Sequence, residues 1–180
     1  MPNPQLARLT IVAGLLAPSA TAACTEAAPA PPRGLLIAEV ATDGVPHDWI
    51  EVYNATGQVV DLVDYVYVDL RGALDRARSF ADVSLDPGER FVQEVSADRS
   101  GFGLAPDEEV WIYRARDGAL VDGLDWDPGS TPSGGSMARL GDTGGFVTVA
   151  VATPGQPNAG RPTTHPGTGV TRFVRAGRGR

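Results

Sequence analysis

The sequence predicts an all-β protein, a sandwich of about eight or nine short strands, on three observations. Gly 22 and Pro 15 in 180 residues punctuate the chain too often for a helical bundle, while 42% hydrophobic side chains are too many for a disordered one. Short apolar runs recur at regular spacing with turn residues between them, and no stretch carries the 3.6-residue period of an amphipathic helix. Asp48-Trp49-Ile50-Glu51-Val52-Tyr53-Asn54 alternates apolar and polar side chains, which predicts a half-buried strand. Trp49, Glu51 and Tyr53 then share one face, and Ile50, Val52 and Asn54 share the other.

The chain opens with an address. In residues 1–23, Arg8 precedes an apolar run and the small residues Ser19, Ala20, Thr21, Ala22 and Ala23, the layout of a secretory signal peptide. The run is too short to span a bilayer. Thr21-Ala22-Ala23-Cys24 resembles the lipobox of bacterial lipoproteins, although Thr21 stands where that family usually has Leu. The resemblance implies cleavage before Cys24 and lipidation of its thiol, with a soluble secreted product, or an uncleaved anchor or misread start, as the alternatives. All three place the domain outside the cytoplasm, and the expected location is secreted or lipid-anchored at the bacterial envelope. Residues 24–33, with Ala-Pro-Ala-Pro-Pro at their centre, form a stiff extended spacer, because proline fixes φ and disfavours helix before it.

The domain itself is expected over residues 34–160. Leu35-Leu36-Ile37-Ala38-Glu39-Val40 is the first strand and Trp49 to Tyr53 the second, with Thr42-Asp43-Gly44 turning between them. Asn54-Ala55-Thr56 is formally a glycosylation sequon, but in this context its residues read as turn chemistry. Val59-Val60-Asp61-Leu62 and Tyr65-Val66-Tyr67-Val68-Asp69-Leu70 follow, the latter mixing β-branched and aromatic residues. Residues 71–82 hold Arg71, Arg76 and Arg78 with few apolar partners and read as a mobile loop. Asp86-Pro87-Gly88-Glu89 turns the chain into a strand ending at Val95. The strand Glu109 to Arg114 then enters a tight Asp117-Gly118 hairpin of the I′ kind, returning through Leu120 to Leu124. Strands at Met137 to Leu140 and Gly145 to Val149 complete the set.

Charge is distributed unevenly. Residues 34–160 hold 21 acidic side chains against 8 arginines, whereas residues 161–180 hold five arginines and no acid. An acidic body is a poor binder of nucleic acid. The chain has no lysine, and its single Cys24 rules out an intrachain disulfide, so the fold rests on core burial.

In order along the chain, Ile37-Ala38-Glu39-Val40, Asp48 to Asn54, Val60-Asp61-Leu62, Leu85 to Glu89, Val121-Asp122, Ser136 to Leu140 and Ala152-Thr153-Pro154-Gly155-Gln156-Pro157-Asn158 resemble the lamin-tail domain. The resemblance covers nearly all of residues 35–158. The chain departs from the family at Val63-Asp64-Tyr65, where a small residue and Trp are usual. It implies an immunoglobulin-like β-sandwich and a non-enzymatic binding or structural module of the cell surface, with no catalytic residues to carry over.

The residues themselves offer few reactive sets. The only histidines, His47 and His165, fall in a turn and in the tail, which leaves no obvious base beside a nucleophile. Asp122, Asp125 and Asp127 cluster after a strand, and Asp43, Asp48 and Glu51 cluster around the second one. The first trio is the candidate metal set, with calcium as the ion that favours carboxylate oxygen, although the spacing lacks the EF-hand pattern. Of the seven tryptophans and tyrosines, Trp126 is expected to be the most exposed, and with Asp125 and Asp127 it forms the candidate ligand site, suited to a neutral sugar. The expected partners are an envelope glycan or surface protein, and the membrane through a lipidated Cys24. Two alternatives stand beside this reading. Arg172, Arg175, Arg178 and Arg180 of the tail would bind polyanions, including single-stranded nucleic acid. A carboxylate-dependent hydrolase would use Asp122, Asp125 or Asp127.

Overall fold

A computed structural model describes residues 34–44, 47–96, 102–142, 144–158 and the pair Phe173–Val174. The chain divides into two units, Met1–Ala30 and Pro31–Arg180. The first unit, and with it the signal peptide, Cys24 and most of the spacer, lies outside the described residues, as do Arg33, His165, Arg172, Arg175, Arg178 and Arg180.

The second unit is an all-β sandwich. In chain order the strands are β1 (Leu35–Ala41), β2 (Asp48–Asn54), β3 (Val60–Asp61), β4 (Tyr65–Val68), β5 (Arg78–Ser79), β6 (Ser84–Leu85), β7 (Arg90–Val95), β8 (Glu108–Arg114), β9 (Ala119–Trp126), β10 (Ser136–Arg139), β11 (Phe146–Val149) and β12 (Phe173–Val174). Eight of these have four or more residues, in line with the predicted number, and the other four are two-residue pairings. One sheet has the order β12-β11-β10-β1-β2-β7, a second the order β5-β4-β8-β9, and β3 pairs with β6 alone. Every pairing is antiparallel.

The core lies between the two larger sheets. Leu35, Ile37, Val40, Ile50 and Val52 from the first meet Tyr67, Val110, Ile112, Leu124 and Trp126 from the second. These side chains recur at every second position, save across the bulge between Ile37 and Val40, so each strand delivers one face to the interior. Phe80 and Phe102 close on Tyr67 from two sides, at ring-centroid distances of 4.8 and 5.7 Å.

Alternation predicted a half-buried second strand, but the outer face of β1 and β2 is also covered. Glu39 and Glu51 sit directly opposite each other there and are both fully buried. A β-bulge between Ile37 and Glu39 brings the two carboxylates into register. Two like charges facing across a ladder repel, and each therefore needs its own donors. Residues 152–158 supply them by crossing this face as a strap. Glu39 accepts the Thr153 N–H at 2.9 Å and the Thr153 hydroxyl at 2.9 Å, and also the Ser136 hydroxyl. Glu51 accepts the Gly155 N–H and faces the Arg90 guanidinium at 3.3 Å. Asn158 fastens the strap by donating to the Ala38 carbonyl at 2.8 Å.

Residues 71–82 are structured, contrary to the loop reading. A 3-10 turn (Leu74–Arg76) and β5 hold them against the second sheet, where Phe80 enters the core and Ala77 packs on the opposite face. The hairpin between β8 and β9 also differs from the two-residue expectation. Four residues separate the strands, and the Gly118 N–H closes the loop on the Arg114 carbonyl at 2.9 Å. Gly118 takes φ 65, which only glycine adopts without strain.

Candidate functional site

Several residues that look reactive in the sequence are structural. Asn54 is fully buried at the end of β2. Its amide donates to the Gln58 carbonyl at 2.8 Å and the Leu85 carbonyl at 2.9 Å, and its oxygen accepts from the Thr56 N–H and hydroxyl at 2.9 and 2.6 Å. The sequon is thus a buried turn lock. Glu51, on the face that the sequence marks with two aromatics, is held beneath the strap, while the Arg90 guanidinium lies 4.6 Å from the Tyr53 ring.

The aspartate trio does not converge. Asp122 and Asp125 are three positions apart on β9, so they project from opposite faces. Asp122 turns toward the first sheet, where it accepts the Ile37 N–H at 2.8 Å and pairs with Arg139. Arg139 is buried too, donates to the Ile37 carbonyl at 2.7 Å and lies 4.3 Å from the Phe146 ring. This fork satisfies the backbone of β1 where the bulge interrupts its ladder. Asp127 is exposed in the turn beyond β9, its carbonyl accepting from Ser130 at 3.2 Å. The expected metal set of Asp122, Asp125 and Asp127 is therefore corrected: Asp122 lies on the inner face, paired with Arg139, and Asp125 on the outer one. Among the described residues, no three His, Cys, Asp or Glu side chains are grouped to hold a metal ion.

Trp126 is likewise corrected. It is 1% exposed, packs in the main core and donates its indole N–H to the Ala105 carbonyl at 3.0 Å. Its parity on β9 matches that of Leu124, which carries both side chains inward. Flanking by two aspartates suggested exposure, yet those neighbours point the other way because successive strand residues alternate.

The same parity argument identifies the aromatic platform. Trp111 and Tyr113 project from the outer face of the β5-β4-β8-β9 sheet and form a second cluster with Val68, separate from the main core. Across the ladder Trp111 faces Gly123, Glu109 faces Asp125 and Tyr113 faces Leu120. Gly123 is required there, since a Cβ would stand 1.9 Å from the Trp111 ring. Residues 70–77 close over the platform as a flap. The Arg71 guanidinium lies 4.6 Å from the Trp111 ring centroid, the Arg71 N–H donates to Glu109 at 2.8 Å, and the Gly72 N–H donates to the Tyr113 hydroxyl at 2.8 Å. Arg76 pairs with Asp69 at 3.0 Å beside it. Trp111 is 2% exposed, and its indole N–H is buried with no hydrogen-bond partner. The platform thus combines an aromatic face, two facing carboxylates, a phenol and a guanidinium. Of the expected ligand residues, only Asp125 belongs to it. The glycine inside β9 was the sequence signal for Trp111, because an interior strand glycine marks close approach.

A third polar group lies at the end of the core. Asp48 accepts the Leu104 N–H at 3.1 Å, and Glu108 accepts the Ala105 N–H. Burial raises both carboxyls above their ordinary values, an effect the backbone donors oppose. Asp43 also pushes Asp48 up and His47 pulls it down, while Asp69 and Asp48 push Glu108 up and Arg76 pulls it down. These groups hold residues 102–105 over the sandwich end, where Phe102 and Leu104 plug the core.

Compared with protein-family models, curated proteins and solved structures, the chain finds no match in any of the three.

Proposed function

We propose that the chain is a non-enzymatic extracellular module of the lamin-tail-like, immunoglobulin-like type, held at the bacterial cell surface through Cys24 and serving to bind an envelope glycan or a surface protein. One observation supports this reading above the others: the polar residues of the resemblance serve the scaffold. Glu39, Glu51, Asn54, Asp122 and Asn158 are each tied to backbone or to a partner on another strand. Their pattern across residues 37–158 is accounted for by one sandwich clamped by one strap, which supports reading the chain as a scaffold whose surfaces carry function. The stiff spacer of residues 24–33 would hold such a surface away from the membrane.

The test is intact-mass analysis of the protein from its native membrane fraction. A chain beginning at Cys24 and carrying a diacylglyceryl or triacylglyceryl group is expected. An unmodified chain recovered from the medium overturns the tether and leaves a soluble secreted module.

A further inference from the structure

We infer that the outer face of the β5-β4-β8-β9 sheet is a saccharide-binding site, in which a neutral pyranose ring stacks on Trp111 in the place that Arg71 occupies in the closed flap. The inference rests on the reading of the chain as a binding module and names its ligand class and position.

Four features converge on this class of ligand. Trp111 presents a flat face backed by the Gly123 backbone, with no side chain between ring and strand. A planar guanidinium already lies 4.6 Å from the ring centroid, so the face accepts a flat, polar-edged group. At the ring's border stand Glu109 and Asp125, directly opposite each other, and the Tyr113 hydroxyl. The hydroxyls of a sugar donate to such carboxylates, while its C–H face packs on an indole. Finally, the indole N–H is buried and unpartnered in the closed state. Leaving such a donor unsatisfied is costly, and a ring hydroxyl entering at the edge of the indole would accept from it.

Charge narrows the class further. Two facing carboxylates repel phosphate and sulfate groups, so a neutral sugar fits this face better than a polyanion. The flap is built to leave. Leu70 and Leu74 remain 50% and 41% exposed, so it buries little apolar surface of its own. Its attachments are the two backbone donors to Glu109 and Tyr113, the Arg71 stack, the Arg76–Asp69 pair and the small Ala77 methyl against the Val68 and Trp111 cluster. Segments held this way open locally at low cost. Gly72, at φ 82, supplies a pivot at its start.

The experiment titrates the full mature chain with a panel of neutral oligosaccharides of glucose, galactose, mannose and N-acetylglucosamine, and separately with heparin, read by tryptophan fluorescence and calorimetry. At least one oligosaccharide is expected to bind. Arg71→Ala, which removes the group competing for the ring, should tighten binding about threefold. Asp125→Asn should weaken it about tenfold. Both changes lie on the surface of the sheet and leave the main core intact. Silence across the panel in the wild type and in Arg71→Ala overturns the proposal, and so does binding confined to heparin that Arg71→Ala abolishes. Its failure is separable from failure of the tether: a lipidated Cys24 with a silent panel removes this site and keeps the surface module. Binding by an unlipidated chain keeps the site and removes the tether.

Discussion

Arg139 and Asp122 show how much depends on single buried side chains. Their pair joins the two sheets and also satisfies the N–H and carbonyl of Ile37. Removing one partner strands the other charge in the core, which costs about 3–5 kcal/mol, whereas replacing both by apolar residues of similar volume costs far less. Arg139→Met should therefore lower unfolding free energy by about 3 kcal/mol or more in urea titration, and the double change Arg139→Met with Asp122→Leu should recover much of the loss. A double variant no more stable than the single would show that the Ile37 backbone, rather than the stranded charge, sets the cost. Neither role was legible in sequence, since Asp122 read as a metal-ligand candidate grouped with Asp125 and Asp127, and only the packing of β10 beneath β9 brings Arg139 to it. Trp111 and Trp126 make the same point. Alternation is readable within a strand, but which parity faces the core depends on the sheet packed against it, and here that inverted the expected exposure of Trp126.

At the level of elements, the strap of residues 152–158 and the flap of residues 70–77 each cover a sheet face. The strap was legible as a motif but not as a lid on carboxylates more than a hundred residues earlier. Truncation before Ala152 removes the donors to Glu39 and Glu51 and exposes two facing like charges. Unfolding free energy should fall by about 3 kcal/mol or more, from the loss of several charge-assisted hydrogen bonds. Glu39→Gln in the truncated chain should restore part of it, because only one charge then remains in the pair. If that change has no effect on the urea midpoint, charge repulsion is not what the strap relieves. The flap read as a mobile loop because its sequence lacks an apolar period. Its order comes instead from backbone donors to Glu109 and Tyr113, partners that composition cannot reveal.

For the molecule as a whole, the strand pattern and all-β class were legible because they depend on a two-residue period and on turn residues. The covering of the outer faces was not, because it depends on distant segments. The pH response is likewise a property of the whole sandwich end. Burial raises the carboxyls of Asp48 and Glu108, so the folded state binds their protons more tightly than the unfolded chain does. Their contribution to stability is complete below the ordinary carboxylate value of about 4 and is lost as pH rises through the raised folded values. These two carboxyls should therefore add stability in urea as pH falls from about 7 toward about 4, and Asp48→Asn with Glu108→Gln should remove that contribution. Equal slopes for the two proteins would discount these carboxyls. Asp117, held below its ordinary value by Arg114, acts in the opposite sense, and only at lower pH. The sheet order β12-β11-β10-β1-β2-β7 places the first strand of the domain at the centre of its larger sheet. One neighbour of β1 follows it within a few residues, but the other, β10, lies about a hundred residues downstream. A chain emerging from its N-terminus therefore holds one edge of β1 open until nearly the whole domain has appeared. Assembly is then slow, as long loops must close before contacts reward them, and it follows synthesis rather than accompanying it.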